Sequence, residues 1–220
     1  MYALHPSDYA PDAFEVRVSE LLVATSEGGD PLVSSAVSEA LKLLREKLDM
    51  DVVFVSEFVD GRRVFRRIEA DADKRMFEEG QSHPLESTFC QRVVDGRMPN
   101  MIKNFPNYAG AKDLPKVPFP LGSFLSVPVV LNDGRVYGTL CCFSHAVNDE
   151  LTQRDLRKLE MSAQLTARRI DEVRAREADT AMASWALEPG EHTLVAEARG
   201  ARAADRRAWC RCRRRYAPFP

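Results

Sequence analysis

The chain has 220 residues, of which 45% are hydrophobic and 29% charged, a composition that supports one folded domain with extensions or two small domains. The formal net charge of −2 indicates neither a nucleic acid nor a strongly acidic partner, no apolar run reaches the roughly 20 residues of a membrane span, and no signal peptide is recognisable. Five cysteines without a C-x-x-C pair disfavour a disulfide framework and a thiolate zinc site, so we expect a cytoplasmic protein with reduced thiols and no metal or cofactor.

The first segment predicts two helices after an irregular N-terminus at residues 1–13. Apolar residues at helical spacing favour a helix over residues 14–25, and Gly28 and Gly29 end it. Asp30-Pro31 then begins a second helix, because Asp caps free amides and Pro suits the first helical position. Its apolar residues recur every three or four positions and predict one fully buried face: Val33, Val37, Leu41, Leu44 and Leu48.

A hairpin and a short helix follow. Asp60-Gly61 separates two stretches rich in β-branched and aromatic residues, which is typical of a tight antiparallel turn. Residues 71–86 are charged and irregular. Thr88 and Gln91 have the spacing of a capping box for a short helix that Gly96 ends, and residues 99–120 form a Pro- and Asn-rich loop with a brief strand near Met101.

The clearest strands come last. LGSFLSVPVVL and RVYGTLCCFS flank Asn132, Asp133 and Gly134, which tolerate positive φ, and a long helix begins near Thr152 and Asp155. Two hairpins with helices before and after them predict an α+β fold. We expect an antiparallel sheet with helices packed on one face and a ligand pocket under loops on the other face.

The second hairpin resembles the closing strands of GAF domains. In that family a Ser-x-x-x-Val-Pro strand, a polar turn with Gly and a Tyr-Gly-Thr-Leu strand occur in this order. STFCQRVVDGRMPNMI likewise resembles the short helix and strand beside the GAF ligand pocket. The resemblance covers residues 14–175 and implies a GAF-like or PAS-like sensor domain. The matching residues are Ser123, Val127, Pro128, Gly134, Tyr137, Gly138, Thr139 and Leu140.

The resemblance also implies a place for a ligand, between the sheet and the loop of residues 99–120. A fixed guanidinium at Arg92 would hold a carboxylate or phosphate. The alternative is that these residues only cap the short helix and close the domain. The predicted ligand-binding residues are Ser87, Thr88, Cys90, Gln91, Arg92, Asn104, Tyr108, Phe119 and Phe124.

Cysteine and histidine give no clear catalytic or metal site. Cys90 in the first turn of its helix fits either a redox-sensitive thiol or a small buried hydrophobe, and packing is the favoured interpretation. Consecutive Cys141 and Cys142 must face opposite sides of a strand. His83 and His145 belong to no spaced ligand set.

The long helix, residues 152–187, contains an a/d heptad pattern flanked by charges. It predicts a parallel homodimer seam, and the alternative is an amphipathic helix packed on its own sheet. The seam residues are Leu156, Leu159, Ala163, Thr166, Ile170 and Val173.

The composition changes after the long helix. Residues 188–220 are rich in arginine, with eight between Arg199 and Arg215, and have no apolar periodicity. We predict a disordered tail. Nucleic-acid or membrane-surface binding and an out-of-frame read-through are the alternatives, and apart from this tail we expect no nucleic-acid partner.

These patterns favour a stand-alone sensor of the bacterial signalling type rather than an enzyme. Ligand binding would order the loop and bias the helices of a homodimer, which pass the signal to a separate effector protein. Some GAF relatives attach a bilin through a Cys-His dipeptide, which this chain lacks. Others reduce free methionine-(R)-sulfoxide with spaced cysteines, and an enzyme of this type using Cys90 is one alternative. A structural dimerisation module without a ligand is the other.

Overall fold

Six strands and three helices follow one another in the computed structural model, which describes residues 17–18 and 35–186. Residues 17 and 18 are also helical. Leu85–Ser87 and Ala109–Asp113 form short 3-10 helices. The elements are α1 (Ser35–Lys47), β1 (Val52–Val59), β2 (Arg62–Ala70), β3 (Ser82–Pro84), α2 (Phe89–Val94), β4 (Met101–Ile102), β5 (Ser123–Val130), β6 (Val136–Ser144) and α3 (Gln153–Ala186).

All strands pair antiparallel in the order β3-β2-β1-β6-β5-β4. The two hairpins therefore lie side by side, and β1 and β6 form the centre of the sheet. Asp60 and Gly61 both have positive φ (50° and 69°), the geometry of the hairpin turn that the Asp-Gly pair predicts. Gly134 (φ 82°) plays the same part in the second hairpin. The predicted α+β class and antiparallel sheet are confirmed.

One face of the sheet carries the helices. Leu44 and Leu41 of α1 and Leu159 and Ile170 of α3 are buried in one cluster with strand residues from β1, β5 and β6. The strand members include Val53, Val55, Leu125, Val127, Leu140 and Cys142. Because central strands covered on both faces must be apolar throughout, β1 and β6 have nearly continuous hydrophobic sequences.

The predicted seam of α3 belongs to this intramolecular core. Leu159, Ala163 and Ile170 are at most 2% exposed, and Leu156 packs against the same cluster. Thr166 and Val173 are buried as well. The apolar residues of the heptad pattern thus pack against the sheet of the same chain, as the alternative interpretation expects. Homodimerisation stays a prediction, and its interface would have to be formed by other residues.

The opposite face carries α2 and the long loop. Phe54, Phe65 and Phe143 of the sheet are buried with Cys90 and Val93 of α2 in a second cluster. Cys141 lies on this face and Cys142 on the helical face, as strand alternation requires. The aromatic residues of this face surround the cavity described below.

One steric and one polar feature position the central strands β1 and β6. A Cβ atom at Gly138 of β6 would lie 1.9 Å from the carbonyl oxygen of Ser56, so only glycine lets β1 and β6 approach this closely. At the other end, Asp51 accepts hydrogen bonds from Ser144 Oγ (3.0 Å), the His145 amide (2.8 Å) and Lys74 Nζ (2.5 Å). These bonds join the start of β1 to the end of β6.

Some expectations differ from the structure or lie outside it. Residues 82–84 pair with β2 as a short strand, although residues 71–86 were expected to be irregular. The predicted irregular start at 1–13, most of the first helix and the arginine-rich tail lie outside the described residues. The chain divides into units Met1–Met182 and Ala183–Pro220, and the sheet belongs to the first. Within the described part, no helix has the length and apolarity to cross a membrane.

The burial of Ile170 predicts an effect on stability rather than on association. Replacing this 1% exposed side chain by alanine should lower the free energy of unfolding by about 2–5 kcal/mol, because a cavity forms in the core. Urea unfolding measures the loss, and Arg168→Ala on the exposed side of α3 is the control. Sedimentation of the folded Ile170→Ala protein should match the wild type; dissociation with unchanged stability would place Ile170 in a subunit interface.

Asp51 predicts a pH-dependent contribution to stability. Burial by itself raises the pKa of Asp51, but hydrogen bonds from Lys74, His145 and Ser144 outweigh it and hold the pKa below the ordinary value of 3.8. The stabilisation is therefore complete only well above the ordinary pKa of 3.8, and it is lost progressively as the pH falls from about 5 through the folded-state pKa.

Asp51→Asn should lower the free energy of unfolding at pH 7 by about 1–3 kcal/mol, and the difference should shrink in acid. Urea unfolding from pH 7 to pH 3 measures both effects. Asp113→Asn at an exposed position is the control. A constant difference across this pH range would contradict the assigned role of the carboxylate.

Candidate functional site

A cavity of about 260 Å³ lies against the sheet face opposite α1 and α3. Strands β1, β2, β5 and β6 form its floor, the first turn of α2 forms one wall, and residues 115–119 of the predicted loop form another. The predicted position of a pocket between sheet and loop therefore agrees with the structure. Six phenylalanines supply most of the apolar lining: Phe54, Phe77, Phe89, Phe119, Phe124 and Phe143.

The charged residues of the cavity are all basic. Arg63 of β2 is buried, His83 of β3 is partly buried, and Lys116 is exposed on the loop. Among the described residues no Asp or Glu lines the cavity. The described part of the chain also holds no cluster of three or more His, Cys, Asp or Glu suited to a metal. The cavity is thus lined mostly by apolar residues, together with a few basic side chains.

Arg63 is the best-anchored polar group of the cavity. Its side chain is buried, with the residue only 9% exposed, and the guanidinium carbon lies 4.2 Å from the centroid of the Phe65 ring and 5.7 Å from that of Phe54. Such cation–π contacts hold a planar cation against the sheet. Arg63 Nε has no hydrogen-bond partner among the described residues.

The guanidinium has two polar neighbours. Arg63 Nη1 donates to Cys90 Sγ at 3.6 Å, and Arg63 Nη2 lies 3.0 Å from His83 Nδ1. Burial and then the positive charges of Arg63 and Arg62 lower the pKa of His83. His83 is therefore neutral at pH 7 and accepts the Arg63 hydrogen bond through Nδ1.

Cys90 and Cys141 form a buried sulfur pair beside the guanidinium. Their Sγ atoms are 3.5 Å apart, and the Ser126 hydroxyl lies 3.0 Å from Cys141 Sγ. A hydrogen bond from Cys141 and the charge of Arg63 lower the pKa of Cys90 despite its burial. Burial and the hydrogen bond to Cys90 raise the pKa of Cys141. These opposite shifts favour ionisation of Cys90 over ionisation of Cys141.

The structure brings five of the nine predicted ligand residues to the cavity: Ser87, Thr88, Cys90, Phe119 and Phe124. Thr88 also caps α2, since its Oγ1 accepts from the Gln91 amide at 3.3 Å, and Ser87 Oγ donates to the Pro84 carbonyl at 2.7 Å. Capping and cavity lining are therefore performed by the same residues. As ligand contacts, these residues stay predictions.

The other four predicted residues lie outside the cavity lining. The Gln91 side chain donates to Asp95, and Asn104 accepts from the Asn107 amide. Tyr108 packs against Phe105. Arg92 Nε is buried on α2, so the guanidinium of the cavity is Arg63 and not Arg92. The only sequence signal for Arg63 is its position two residues before Phe65, which places both on one face of β2.

Comparison with known proteins agrees with this architecture. A family model described as GAF domain matches residues 33–171, which is more than half of the chain. No curated protein shows significant sequence similarity to the chain.

Solved structures with the same fold share little sequence with the chain. The GAF domain of an Acinetobacter phosphoenolpyruvate-protein phosphotransferase is 14% identical, with a TM-score of 0.57 and coverage of 74% of this chain and 93% of that one. A free methionine-R-sulfoxide reductase from Neisseria meningitidis, solved with its substrate, is 17% identical, with a TM-score of 0.56 and coverage of 80% and 99%. A bacteriophytochrome from R. palustris is 15% identical, with a TM-score of 0.57, and covers 79% of this chain and 40% of its own.

At these identities the likeness establishes the fold, whereas the family model establishes membership. The chain belongs to the GAF domain family.

Proposed function

We propose that this protein is a sensor whose cavity binds a small anion with a flat apolar body, such as an aromatic carboxylate. The observation that carries the proposal is the buried Arg63 guanidinium in a cavity that has no carboxylate among its described lining residues. GAF domains are a family of small-molecule sensors. The proposal therefore concerns which chemical class this member recognises.

Three properties of the cavity support this class of ligand. Phenylalanine rings favour a flat apolar body, since aromatic rings prefer stacked and edge-to-face contacts. The guanidinium of Arg63 matches the planar geometry of a carboxylate. The volume of about 260 Å³ lies just below the roughly 300–1,000 Å³ typical of ligand sites, which favours a ligand of about one ring.

In this proposal the protein is a homodimer, and α3 passes the ligand signal from the sensor domain to a separate effector protein. Arg174 connects this helix to the sheet, because its guanidinium lies 5.2 Å from the Tyr137 ring and 3.5 Å from Glu57. Beyond Val173, the described side chains of α3 are exposed up to Ala183 and are available to a partner. The described cysteines are free thiols, which is typical of a reducing cytoplasm.

Binding of benzoate and phenyl phosphate should exceed binding of neutral benzamide. Arg63→Gln should lower the affinity for the two anions roughly 10- to 100-fold, since a hydrogen bond to a charged group contributes about 1.5–3 kcal/mol. The affinity for benzamide should stay unchanged. Ligand-observed NMR titration measures the affinities. Arg92→Gln, which alters an arginine outside the cavity, is the matched control. Equal binding of anions and benzamide, or full affinity in Arg63→Gln, would contradict the proposal.

Reduction of free methionine-(R)-sulfoxide is the second candidate, favoured by the 3.5 Å contact between Cys90 and Cys141. The sequence alone suggested no partner for Cys90, whereas the fold brings one from β6. A reductase would use Cys90 as nucleophile and Cys141 as the second thiol.

The assay combines free methionine-(R)-sulfoxide with dithiothreitol and compares Cys90→Ser with Cys142→Ser. If the protein is a reductase, Cys90→Ser falls to background while Cys142→Ser, on the other face of the sheet, stays active. Background turnover in the wild type removes this candidate and leaves the sensor.

A further inference from the structure

The geometry points to Cys90 and Cys141 as a peroxide-reactive pair that closes a disulfide at the floor of the cavity. The two Sγ atoms are 3.5 Å apart although the residues are 51 positions apart in the chain and lie on α2 and β6. This inference does not rest on the proposed anionic ligand. It needs only the two sulfurs, Arg63 and the opening of the cavity.

The two cysteines have different access to an oxidant. Cys90 lines the cavity, whereas Cys141 lies behind it in the central strand β6 and is not part of the lining. A small hydroperoxide that enters the cavity therefore meets Cys90 first. Cys90 is the attacking sulfur and Cys141 is the resolving sulfur.

Arg63 supplies the charge that keeps Cys90 reactive. Only the thiolate attacks a peroxide, and the Arg63 guanidinium donates to Cys90 Sγ at 3.6 Å. The other ionisable groups that line the cavity with Cys90 are Arg63 on β2, His83 against Arg63, and Lys116 on the loop. Within residues 35–186, no Asp or Glu lines the cavity beside Cys90 to oppose its ionisation.

The reaction balances with a hydroperoxide as the oxidant. The Cys90 thiolate attacks one peroxide oxygen, the O–O bond breaks, and Cys90 becomes a sulfenic acid while the leaving oxygen takes a proton and departs as water or an alcohol. The Cys141 thiol then attacks the sulfenic sulfur and forms the S–S bond, while its proton leaves with the sulfenic hydroxyl as water. Two thiols lose two electrons and two protons, and the peroxide gains them.

The fold allows the two sulfurs to meet. A disulfide brings the sulfurs to about 2 Å, so the gap must close by about 1.5 Å. β6 is paired with strands on both sides and cannot shift easily, whereas α2 has only six residues. Closure therefore moves α2, which carries Cys90 and Phe89 of the cavity wall.

Cys142 is the internal control for this pair. It is a buried neighbour of Cys141 but belongs to the helical-face core, where burial raises its pKa. A buried cysteine of this kind packs as a small hydrophobe and is inert.

The test treats the full-length reduced protein with one to ten equivalents of hydrogen peroxide and maps disulfides without reduction. Trypsin places Cys90 in the peptide of residues 76–92 and both Cys141 and Cys142 in the peptide of residues 136–154. Wild type and Cys142→Ser should give a cross-link between these two peptides. Cys141→Ser should lose the cross-link and accumulate a Cys90 sulfenic acid that dimedone traps, and Cys90→Ser should give neither product.

The rate separates a redox site from two cysteines that are merely close. Arg63→Gln should form the cross-link roughly tenfold more slowly than the wild type at pH 7, since each unit of thiol pKa changes the thiolate fraction up to tenfold. The rate of this variant should approach the wild-type rate as the pH rises. The wild-type rate should be flat between pH 6 and pH 8. A structural role of Arg63 would slow the reaction equally at every pH.

Several outcomes would overturn the inference. These are a cross-link through Cys142 instead of Cys141, a Cys90 that reacts no faster than glutathione, or oxidation to sulfinic acid without a cross-link. Methionine-(R)-sulfoxide runs in parallel as a second oxidant, and a cross-link with the sulfoxide but not with peroxide would also overturn it. The result is independent of whether benzoate binds.

Discussion

The antiparallel pairing of β1 with β6 is the contact on which the rest of the molecule depends. It joins two hairpins that are each local in the chain, and it aligns Val52 with Phe143 across 91 positions of sequence. Both strands are buried on both faces. The pair therefore lies between the helical-face core and the cavity and contributes residues to both. The glycine at 138 lets the strands approach, and Asp51 closes their other end.

The candidate site depends on this pairing. Arg63 and Phe54 come from the first hairpin, whereas Cys141, Phe124 and Phe143 come from the second. Helix α2 then delivers Cys90 to the boundary between the two hairpins, within reach of Arg63 and Cys141. Cys90 is 27 positions from Arg63 and 51 positions from Cys141 in the sequence. A chain with a disrupted β1–β6 pair would therefore lose the cavity floor before it lost either hairpin.

Local signals in the sequence were sufficient for much of the fold. The Asp60-Gly61 turn, the Thr88 cap and the apolar strands are each encoded within a few residues, and these elements form where they were predicted. The strand at residues 82–84 could not be predicted, because three residues carry no periodicity and the strand is defined by its pairing with β2. The interpretation of α3 was open for a different reason. A heptad seam and a helix packed on a sheet both require apolar residues every three or four positions.

The site was harder to predict than the fold, because its contacts are long-range. The alternation of side chains along a strand predicts that Cys141 and Cys142 face opposite sides of the sheet, but it does not predict which side holds the cavity. Arg92 was predicted as the ligand-binding arginine because it lies on the helix beside the predicted pocket. Arg63 lies on a strand of mixed polarity, and its alternation with Phe65 does not by itself indicate a ligand site. Only the folded chain shows that one arginine is buried against Phe65 and the other lies outside the cavity.

The shared position of Arg63 has a thermodynamic consequence. In the two proposals made above, one guanidinium would be both the counter-ion of a Cys90 thiolate and the group that holds an anion in the cavity, so an incoming anion and the thiolate would compete for the same positive charge. Conversion of the thiolate to an uncharged sulfur would relieve that competition and increase the affinity for anions. Linkage is reciprocal, so a bound anion must favour the uncharged sulfur by the same factor. Occupancy of the cavity and the oxidation state of its floor would then be two readouts of a single equilibrium.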